Sequence, residues 1–381
     1  MRGALYWMDD VMSGLSIVIP TYGRHDLLAA LLQSISVDAE STDFDVEVIV
    51  VDDSPPKEAE RILQTATSYN AKVIHGVSHV GEKRNIGAME ATNDMILFLD
   101  SDVKIMPGTL SAHMKRLTEE PEDVAGCLGK VIFVGHPTYA WQVIESMQLP
   151  QPFSLYPDLA NYVTWGPTAH LSVRRKQFLQ VGGFDITMPR YGGEDVDLGF
   201  RFDNQNLRIA TAPEAVAEHA IETWGTWRQN FHRLWSFGKA DYYLLMRHPE
   251  RSFYDFPTGP LLWLLQSLLL IVLTVTRHIS PWMAVSTLGI SIVAYHFIYA
   301  LVKREGGSRL RVHLLGPLIF WITDFAKSFE SVKHGRPTFI FKRIKFHDDL
   351  IALDWREIAA SAWGITASNI IFLIVILLAR I

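Results

Sequence analysis

Short apolar runs alternate with longer amphipathic segments through the first half of the chain. These runs, which are mainly apolar, cover residues 15–19, 46–51, 72–75 and 95–99. The segments between them, 26–36, 58–69 and 83–91, place apolar residues at helical spacing. Runs that are apolar at nearly every position are typical of strands buried on both faces of a parallel sheet. The pattern predicts an α/β fold with a mostly parallel sheet, in a first domain that covers residues 1–222.

After Gly259 the pattern changes to long apolar stretches with few charges. Three stretches, at about 260–277, 281–302 and 361–380, approach the roughly 20 residues that a helix needs to cross a bilayer, and we predict three transmembrane helices there. A fourth, at about 314–329, soon meets charged residues, so we predict that it lies in the membrane interface. Buried helices of a soluble core are the alternative, but three such runs rarely occur together in a soluble domain.

Basic residues set the predicted orientation of this membrane domain, 259–381. They follow the second apolar run and the interfacial segment, at Lys303, Arg304, Arg309, Arg311, Lys333, Arg336, Lys342, Arg343 and Lys345. The positive-inside rule puts both loops in the cytoplasm. Residues 1–15 lack the apolar core and cleavage site of a secretory signal. We expect a multi-pass protein of the cell (plasma) membrane, with the first domain cytoplasmic and Ile381 outside.

Between these two parts, residues 223–258 mix aromatic and basic side chains. The mixture includes Trp224, Trp227, Phe231, Trp235, Arg228, Arg233 and Lys239. Aromatic rings at headgroup depth and cations that reach lipid phosphates are typical of an interfacial helix. Ordinary packing beneath the first domain is the alternative. We treat 223–258 as an amphipathic, interfacial region that contacts membrane lipids.

Composition excludes several classes of protein. The chain has 381 residues, 49% of them hydrophobic and 20% charged, with a net charge of −6. A chain without an overall basic field is not expected to bind nucleic acid as its main task. Cys127 is the only cysteine, which excludes an intramolecular disulfide and a cysteine-based zinc site.

Acidic residues follow two predicted strands at the edge where parallel sheets bind ligands. Asp100 and Asp102 come directly after the fourth strand. Two carboxylates this close together repel each other unless a cation binds between them. Because their ligand atoms are oxygens, Mg²⁺ or Mn²⁺ is the expected cation, with a phosphate of the ligand as a further partner. An acidic turn is the alternative. Asp52 and Asp53 follow the second strand and could bind a base or ribose, or form an ordinary turn.

Two further segments could carry chemistry. Residues 81–87 match neither the Walker loop nor the dinucleotide fingerprint, although Lys83 and Arg84 could meet a diphosphate or could begin a solvated helix.

Residues 191–198 place Glu194, Asp195 and Asp197 behind two glycines. Helical spacing prevents all three carboxylates from facing one partner. One of them could act as a base, and an acidic helix start favoured by the helix dipole is the alternative. His219 is by default a structural histidine.

Taken together, six motifs resemble, in order and spacing, the family 2 glycosyltransferases of the GT-A fold, a Rossmann-like fold with a mostly parallel sheet. The motifs are Ser-Ile-Val-Ile-Pro-Thr at 16–21, Val-Val-Asp-Asp-Ser at 50–54, the glycine-bounded segment 81–87, Phe-Leu-Asp-Ser-Asp at 98–102, Gly-Gly-Phe-Asp at 182–185 and Gly-Glu-Asp-Val-Asp-Leu at 193–198. The resemblance covers about residues 15–220. It implies an inverting transferase that uses a nucleoside diphosphate sugar and a divalent cation, Mn²⁺ or Mg²⁺.

The resemblance also implies roles for single residues. The nucleotide sugar would be bound by Pro20, Thr21, Arg24, Asp52, Asp53, Lys83, Arg84, Asp100 and Asp185. The candidate metal ligands are Asp100, Asp102 and His219, of which Asp102 is the stronger carboxylate candidate. Asp195, with Glu194 beside it, would be the catalytic base that takes the proton of the attacking hydroxyl.

The sequence departs from the family pattern at three places. Ile186 stands where the family often has Glu, and His170 where it often has Asn. The segment 229–235 does not match the Gln-x-x-Arg-Trp motif of processive synthases. We therefore predict transfer of a single sugar to a lipid-linked or cell-envelope glycan acceptor at the cytoplasmic membrane face. A processive polysaccharide synthase and a non-catalytic, nucleotide-sugar-binding membrane subunit are the alternatives.

Overall fold

The structure is a computed structural model that describes residues 14–255, 259–303, 310–346 and 355–378. The strands are β1 Gly14–Thr21, β2 Asp45–Asp52, β3 Lys72–His75, β4 Met95–Leu99, β5 Val103–Ile105, β6 Val124–Val134, β7 Tyr162–Val163, β8 His170–Arg174, β9 Arg208–Ala220, β10 Ser252–Tyr254 and β11 Lys342–Ile344. The α-helices are α1 His25–Ala39, α2 Pro56–Ser68, α3 Val80–Glu90, α4 Thr109–Glu119, α5 Tyr139–Ser146, α6 Gln151–Ser154, α7 Tyr156–Leu159, α8 Arg175–Gln180, α9 Glu194–Asp203, α10 Trp227–Arg247, α11 Gly259–Val275, α12 Pro281–Lys303, α13 Leu310–Lys333 and α14 Trp355–Leu378. Short 3₁₀ helices cover Ile221–Trp224, Pro249–Arg251 and Pro337–Phe341.

In the described part of the chain, β1 to β9 form one mixed sheet. Its order is β3-β2-β1-β4-β8-β6-β9-β5, and β7 pairs with β9. The strands β3, β2, β1 and β4 are parallel neighbours, which confirms the predicted α/β class. The antiparallel pairs lie in the second half of the sheet, where β8 pairs with β4 and with β6.

Apolar patterning explains the four parallel strands. Every residue of β1 and of β4 is buried, as expected for strands with helices on both faces. On α1, the side chains of Leu28, Leu31 and Ile35 join Leu15 and Leu97 in the main core. The predicted strands and helices therefore exist, with shifts of a few residues at their ends. For example, α3 begins at Val80 because the His79 side chain caps it, Nδ1 accepting from Glu82 N at 3.2 Å.

The chain forms two compact units. The first contains Met1–His136 and Gln151–Thr223, and the second contains Pro137–Pro150 and Trp224–Ile381. The predicted domain 1–222 did not anticipate that the segment 137–150 belongs to the second unit. There Trp141 is buried against the ring of Trp224, and the Tyr139 hydroxyl donates to Arg311 O at 2.6 Å. These long-range contacts have no signature in local sequence.

The second unit is helical apart from the short β10–β11 pair in its described part. Its helix α10 begins with a capping box formed by Thr226 and Gln229. Close packing of α10 on α13 depends on Gly238, since a Cβ there would lie 2.1 Å from Thr323 O. The predicted interfacial region 223–258 thus contains a 21-residue helix that packs on α13.

Within the described residues, two helices are long and apolar enough to cross a membrane, Pro281–Lys303 and Ser361–Leu378. The predicted first span forms α11, which has 17 residues and ends before Arg277, whose backbone is left-handed. Two of the three predicted spans therefore have spanning length, and the first is shorter than predicted. Arg304, Arg309 and the end of the third span, with Ile381, lie outside the described residues.

The predicted interfacial segment 314–329 lies inside one longer helix, and its position at the membrane interface stays a prediction. The structure has one helix, α13, from Leu310 to Lys333, with Pro317 inside it. Its charged residues Asp324, Lys327 and Glu330 are buried and have partners of opposite charge. Lys327 lies 3.5 Å from Asp324, and Glu330 lies 3.7 Å from Lys239 of α10.

Candidate active site

Three strand ends bring the first candidate residues together. In the sheet β1 lies between β2 and β4, and the parallel register pairs Thr21 with Asp52. Asp100 follows β4 at the same edge. Because the carboxyl ends of parallel strands meet at one edge, this is where a ligand of such a sheet is expected to bind. Pro20 is the buried residue of β1 that precedes Thr21.

Asp53 is held by cations from two other elements. Lys83 of α3 forms an ion pair with the Asp53 carboxylate, and its Nζ donates to Thr21 O at 2.7 Å. Both side chains of the pair are buried, and burial lowers the pKa of Lys83. Arg190 Nη2 lies 4.0 Å from the second oxygen of Asp53. Lys83 is therefore the ion-pair partner of Asp53, a carboxylate that is a candidate for binding the nucleotide base.

Asp52 has the contacts of a turn residue. Its Oδ1 accepts from the Ser54 amide at 3.1 Å and from the Ser54 hydroxyl at 2.5 Å. The Ser54 hydroxyl oxygen in turn accepts from Gly23 N at 2.7 Å. These bonds connect the loop after β2 to the loop after β1. Asp52 is therefore a turn residue in this structure, and its role in binding a ligand stays a prediction.

Asp100, Asp102 and His219 form a cluster with the spacing of metal ligands. One ligand atom from each lies within 4.8 Å of the others. His219 comes from β9 and faces Val103 of β5 in the sheet register, and its Nε2 is 3.6 Å from Asp102 Oδ1. Asp102 and His219 are buried, whereas the Asp100 side chain is 32% exposed. Two carboxylates and an imidazole with one open side fit a Mn²⁺ or Mg²⁺ ion that also binds phosphate.

Arg84 joins this cluster to the acidic start of α9. Its guanidinium donates to Asp100 Oδ1 at 2.7 Å and to Glu194 Oε1 at 2.9 Å, and its side chain is 3% exposed. Burial opposes the charge, but the carboxylates of Asp100, Glu194 and Asp195 raise the pKa of Arg84 overall. The Phe184 ring lies 5.6 Å from the guanidinium carbon. Residues 110 positions apart are thereby fixed in one buried ion-pair network.

The three acids of α9 have different surroundings. Gly192 and Gly193 have φ values of 84° and 89°, and this left-handed turn lets α9 begin at Glu194. Asp195 is partly exposed. The partial burial of its side chain and the charge of Glu194 raise its pKa to about 7. Asp197 is buried and pairs with Arg201 Nε at 2.8 Å. Asp195 is therefore the acid of this segment best suited to exchange a proton near neutral pH.

Asp185, a candidate from the sequence, and His170, a departure from the family pattern, have contacts of their own. The Asp185 carboxylate accepts from Thr187 N at 2.8 Å and from its hydroxyl at 2.6 Å, within an exposed turn; Ile186 of that turn is 52% exposed. His170 is fully buried, with Nε2 2.9 Å from His113 Nε2 and Nδ1 3.2 Å from Lys130 O. Burial lowers the pKa of His170 to about 4, so it is a neutral residue of the core.

Residues that sequence reasoning missed hold the loop 182–193 in place. Asn85 donates to Phe184 O at 2.8 Å and accepts from Phe184 N at 2.8 Å. His79 Nε2 lies 3.1 Å from Met188 O. His79 precedes the segment 81–87, and Asn85 lies within it. Asn85 could have been found from the sequence, because it directly follows the candidate residues Lys83 and Arg84.

Two family models match parts of the chain. The model described as glycosyl transferase family 2 matches residues 16–183. A second model, described as the N-terminal domain of galactosyltransferase, matches residues 160–222.

Similar proteins match part of the chain. A protein of Haemophilus influenzae named as an uncharacterized glycosyltransferase is 28% identical over 186 residues, which are 46% of this chain and 57% of that protein. The GalNAc(5)-diNAcBac-PP-undecaprenol beta-1,3-glucosyltransferase of Campylobacter jejuni is 30% identical over 125 residues, 31% of this chain and 39% of that enzyme. The chain thus matches about half the length of these relatives, or less.

Among solved structures, a mannosyltransferase from Pyrobaculum calidifontis in complex with GDP-Man and Mn²⁺ has a similar fold. The TM-score is 0.50 at 14% identity, and the match covers 84% of this chain and 90% of that one. At this identity the likeness shows the fold alone.

Proposed function

We propose that the chain, whose residues 16–183 match the model of glycosyl transferase family 2, is an inverting, metal-dependent transferase that uses a nucleoside diphosphate sugar. We call Asp100, Asp102 and His219 the metal-type cluster. The proposal depends mainly on one observation: Arg84 connects Asp100 of this cluster to Glu194, which is next to Asp195. Through Arg84, the groups proposed to bind the donor would be connected to those proposed to act on the acceptor.

On the donor side, Asp100, Asp102 and His219 would hold a divalent cation. Such a cation supplies positive charge that stabilises the leaving diphosphate. Asp53, supported by Lys83 and Arg190, would accept hydrogen bonds from the base or ribose of the nucleotide. Thr21 and Pro20 at the end of β1 would form the wall of this pocket.

On the acceptor side, Asp195 would be the general base. Its carboxylate takes the proton of the attacking hydroxyl while the hydroxyl oxygen bonds to the anomeric carbon and the bond to the diphosphate oxygen breaks. One such displacement inverts the anomeric centre, as in other single-step glycosyl transfers that use a base on the opposite face of the sugar. Glu194, which raises the pKa of Asp195, would keep this base effective near neutral pH.

For the acceptor, we propose a lipid-linked or cell-envelope glycan. The Campylobacter relative is named as an enzyme that acts on an undecaprenol-linked glycan. In the described part of this chain, two helices are long and apolar enough to cross a membrane. The second unit also carries an exposed aromatic face on α10 and α13. It consists of Trp227, Phe231, Phe325 and Phe329, and the ring of the half-buried Trp235 is stacked on that of Phe231 at 5.8 Å. Such a face suits the membrane interface.

We propose a cytoplasmic position for the first unit. Lys303 at the end of α12 and Arg311 at the start of α13 favour a cytoplasmic loop by the positive-inside rule. The 17 residues of α11, about 26 Å long at 1.5 Å per residue, would then cross the membrane as a short span.

The experiment that tests the donor site is thermal unfolding of the detergent-solubilised protein with UDP, GDP or dTDP, each with and without Mn²⁺. A ligand at about 100 times its Kd stabilises by roughly 2.7 kcal/mol. We expect one nucleotide to raise the Tm only with Mn²⁺ and Asp102→Ala to abolish the shift. Glu119→Ala, an exposed acid on α4, should keep it. No shift with any nucleotide in folded protein would contradict the proposal.

With the donor identified, turnover and the anomeric configuration of the product can be followed by NMR. Inversion is expected in the wild-type product. Asp195→Asn should bind the donor normally and lose turnover, and retention of configuration would contradict the single-displacement mechanism.

A further inference from the structure

Arg24 has a backbone conformation that side-chain-bearing residues seldom adopt. Its φ is 56°, next to Gly23 at 62°, and a residue other than glycine is disfavoured there. The surrounding turn keeps it in place. Gly23 N donates to the Ser54 hydroxyl oxygen at 2.7 Å, and Arg24 O accepts from Leu28 N at 3.0 Å in the first turn of α1. This turn directs the Arg24 side chain across the end of β1.

The Arg24 side chain lies against the buried carboxylate of the metal-type cluster. Its Nη1 is 2.5 Å from Asp102 Oδ2, while the other carboxylate oxygen faces His219. The Asp102 side chain is 5% exposed, whereas that of Arg24 is 45% exposed. The guanidinium therefore occupies one side of Asp102 and has solvent around it into which it can move.

Arg24 and a metal ion are competitors for Asp102. Asp100 is paired with Arg84, whose side chain is 3% exposed, and Asp102 is paired with Arg24. A divalent cation bound by Asp102 would bring two positive charges next to the guanidinium, and like charges repel at such a distance. The half-exposed Arg24, unlike the buried Arg84, can leave.

We propose that Arg24 is an internal counter-ion that holds Asp102 until a divalent cation binds, and that the released guanidinium then binds the donor diphosphate. An arginine fork matches a diphosphate well. Metal and diphosphate then favour each other's binding, because the cation releases the group that the diphosphate needs. This inference rests on the proposed function and specifies how its metal site is filled.

The test measures Mn²⁺ binding to the full detergent-solubilised chain, from the electron paramagnetic resonance signal of free Mn²⁺, without any nucleotide. Arg24→Gly removes the charge and suits the left-handed backbone, and Arg24→Lys keeps the charge. We expect Arg24→Gly to bind Mn²⁺ about tenfold more tightly than wild type and Arg24→Lys to stay within about twofold. Arg61→Gly, an exposed arginine on α2, is the matched control and should leave the affinity unchanged.

A second arm uses inorganic pyrophosphate as the diphosphate probe at saturating Mn²⁺. The Tm increase that it causes in wild type should be lost in Arg24→Gly and kept in Arg61→Gly. Unchanged or weaker Mn²⁺ binding by Arg24→Gly would overturn the inference while leaving the metal site intact, provided that Asp102→Ala abolishes binding. Absence of Mn²⁺ binding in wild type and in Arg24→Gly would overturn both the inference and the proposed metal site.

Discussion

At the residue scale, neighbouring carboxylates of one motif have different surroundings. Asp195 is partly exposed and has a pKa raised to about 7, while Asp197, two residues later, is buried and paired with Arg201. Three residues in one helical turn point in different directions, so only the fold determines which carboxylate is paired. Glu194, the third acid of this turn, forms an ion pair with Arg84.

The pKa of Asp195 predicts the pH dependence of turnover. A base must be deprotonated, so kcat/KM at saturating Mn²⁺ should rise through about pH 7 and fall about tenfold per unit below it. Glu194→Gln removes the negative charge that raises the pKa of Asp195 and should move the acid limb to lower pH. The measurement is initial rate from pH 5.5 to 8.5.

A matched control keeps this prediction specific. Asp158→Asn changes an acid on α7 that pairs with Lys130, and its pH profile should equal that of wild type. A wild-type profile that is flat between pH 5.5 and 8 would contradict the assignment of Asp195 as the base.

At the scale of elements, glycine sets how closely two helices of the second unit approach. A Cβ on Gly238 of α10 would lie 2.1 Å from Thr323 O and 2.8 Å from Ala326 Cβ of α13. Backbone oxygen cannot rotate away as a side chain can, so α10 and α13 would have to separate. Helical periodicity identifies both helices but contains no information on which residue lies at their closest contact.

Gly238→Ala is therefore expected to destabilise the protein by about 1–3 kcal/mol, the usual range for overpacking. The measurement is the Tm of the detergent-solubilised chain. Gly289→Ala is the matched control, since a Cβ at this position of α12 meets nothing within 4 Å. It should be neutral or stabilising by up to about 1 kcal/mol, because alanine favours a helix. An equal effect of both changes would show that contact with α13 is not the cause.

At the scale of the whole molecule, the exposed aromatic face of α10 and α13 predicts where the chain meets the lipid. Phe329 is 56% exposed and lies beside Trp235, and large exposed apolar surfaces mark interaction sites. In nanodiscs, an environment-sensitive fluorophore on Phe329→Cys should be quenched by spin-labelled lipids and protected from iodide. Native Cys127 should not react, since burial raises its thiol pKa to about 12.

Leu63→Cys provides the comparison, because Leu63 is an exposed residue of α2 in the first unit. A fluorophore there should be quenched by iodide and not by spin-labelled lipids. If both positions were quenched alike by iodide, the aromatic face would be in water and the interfacial proposal would be wrong.

Local pattern determined much of this architecture. Strands buried on both faces require apolar residues at nearly every position. The fully buried β1 and β4 and the buried second half of β2 could therefore be recognised directly, as could the acids at the ends of β2 and β4. The apolar helices Pro281–Lys303 and Ser361–Leu378 were recognisable because a bilayer requires long uncharged runs. The order of six motifs added the family resemblance.

Only the tertiary structure decided which of these residues meet. The partnership of Arg84 with Glu194, of Arg24 with Asp102 and of Asp102 with His219 joins positions 110, 78 and 117 residues apart. Burial in a shared environment raises the pKa of Asp195 and neutralises His170. Local propensity acts over a few residues, whereas charge pairing and desolvation depend on what folding brings within a few ångströms. The sequence by itself therefore determined the elements and the candidate groups, and the fold determined their contacts.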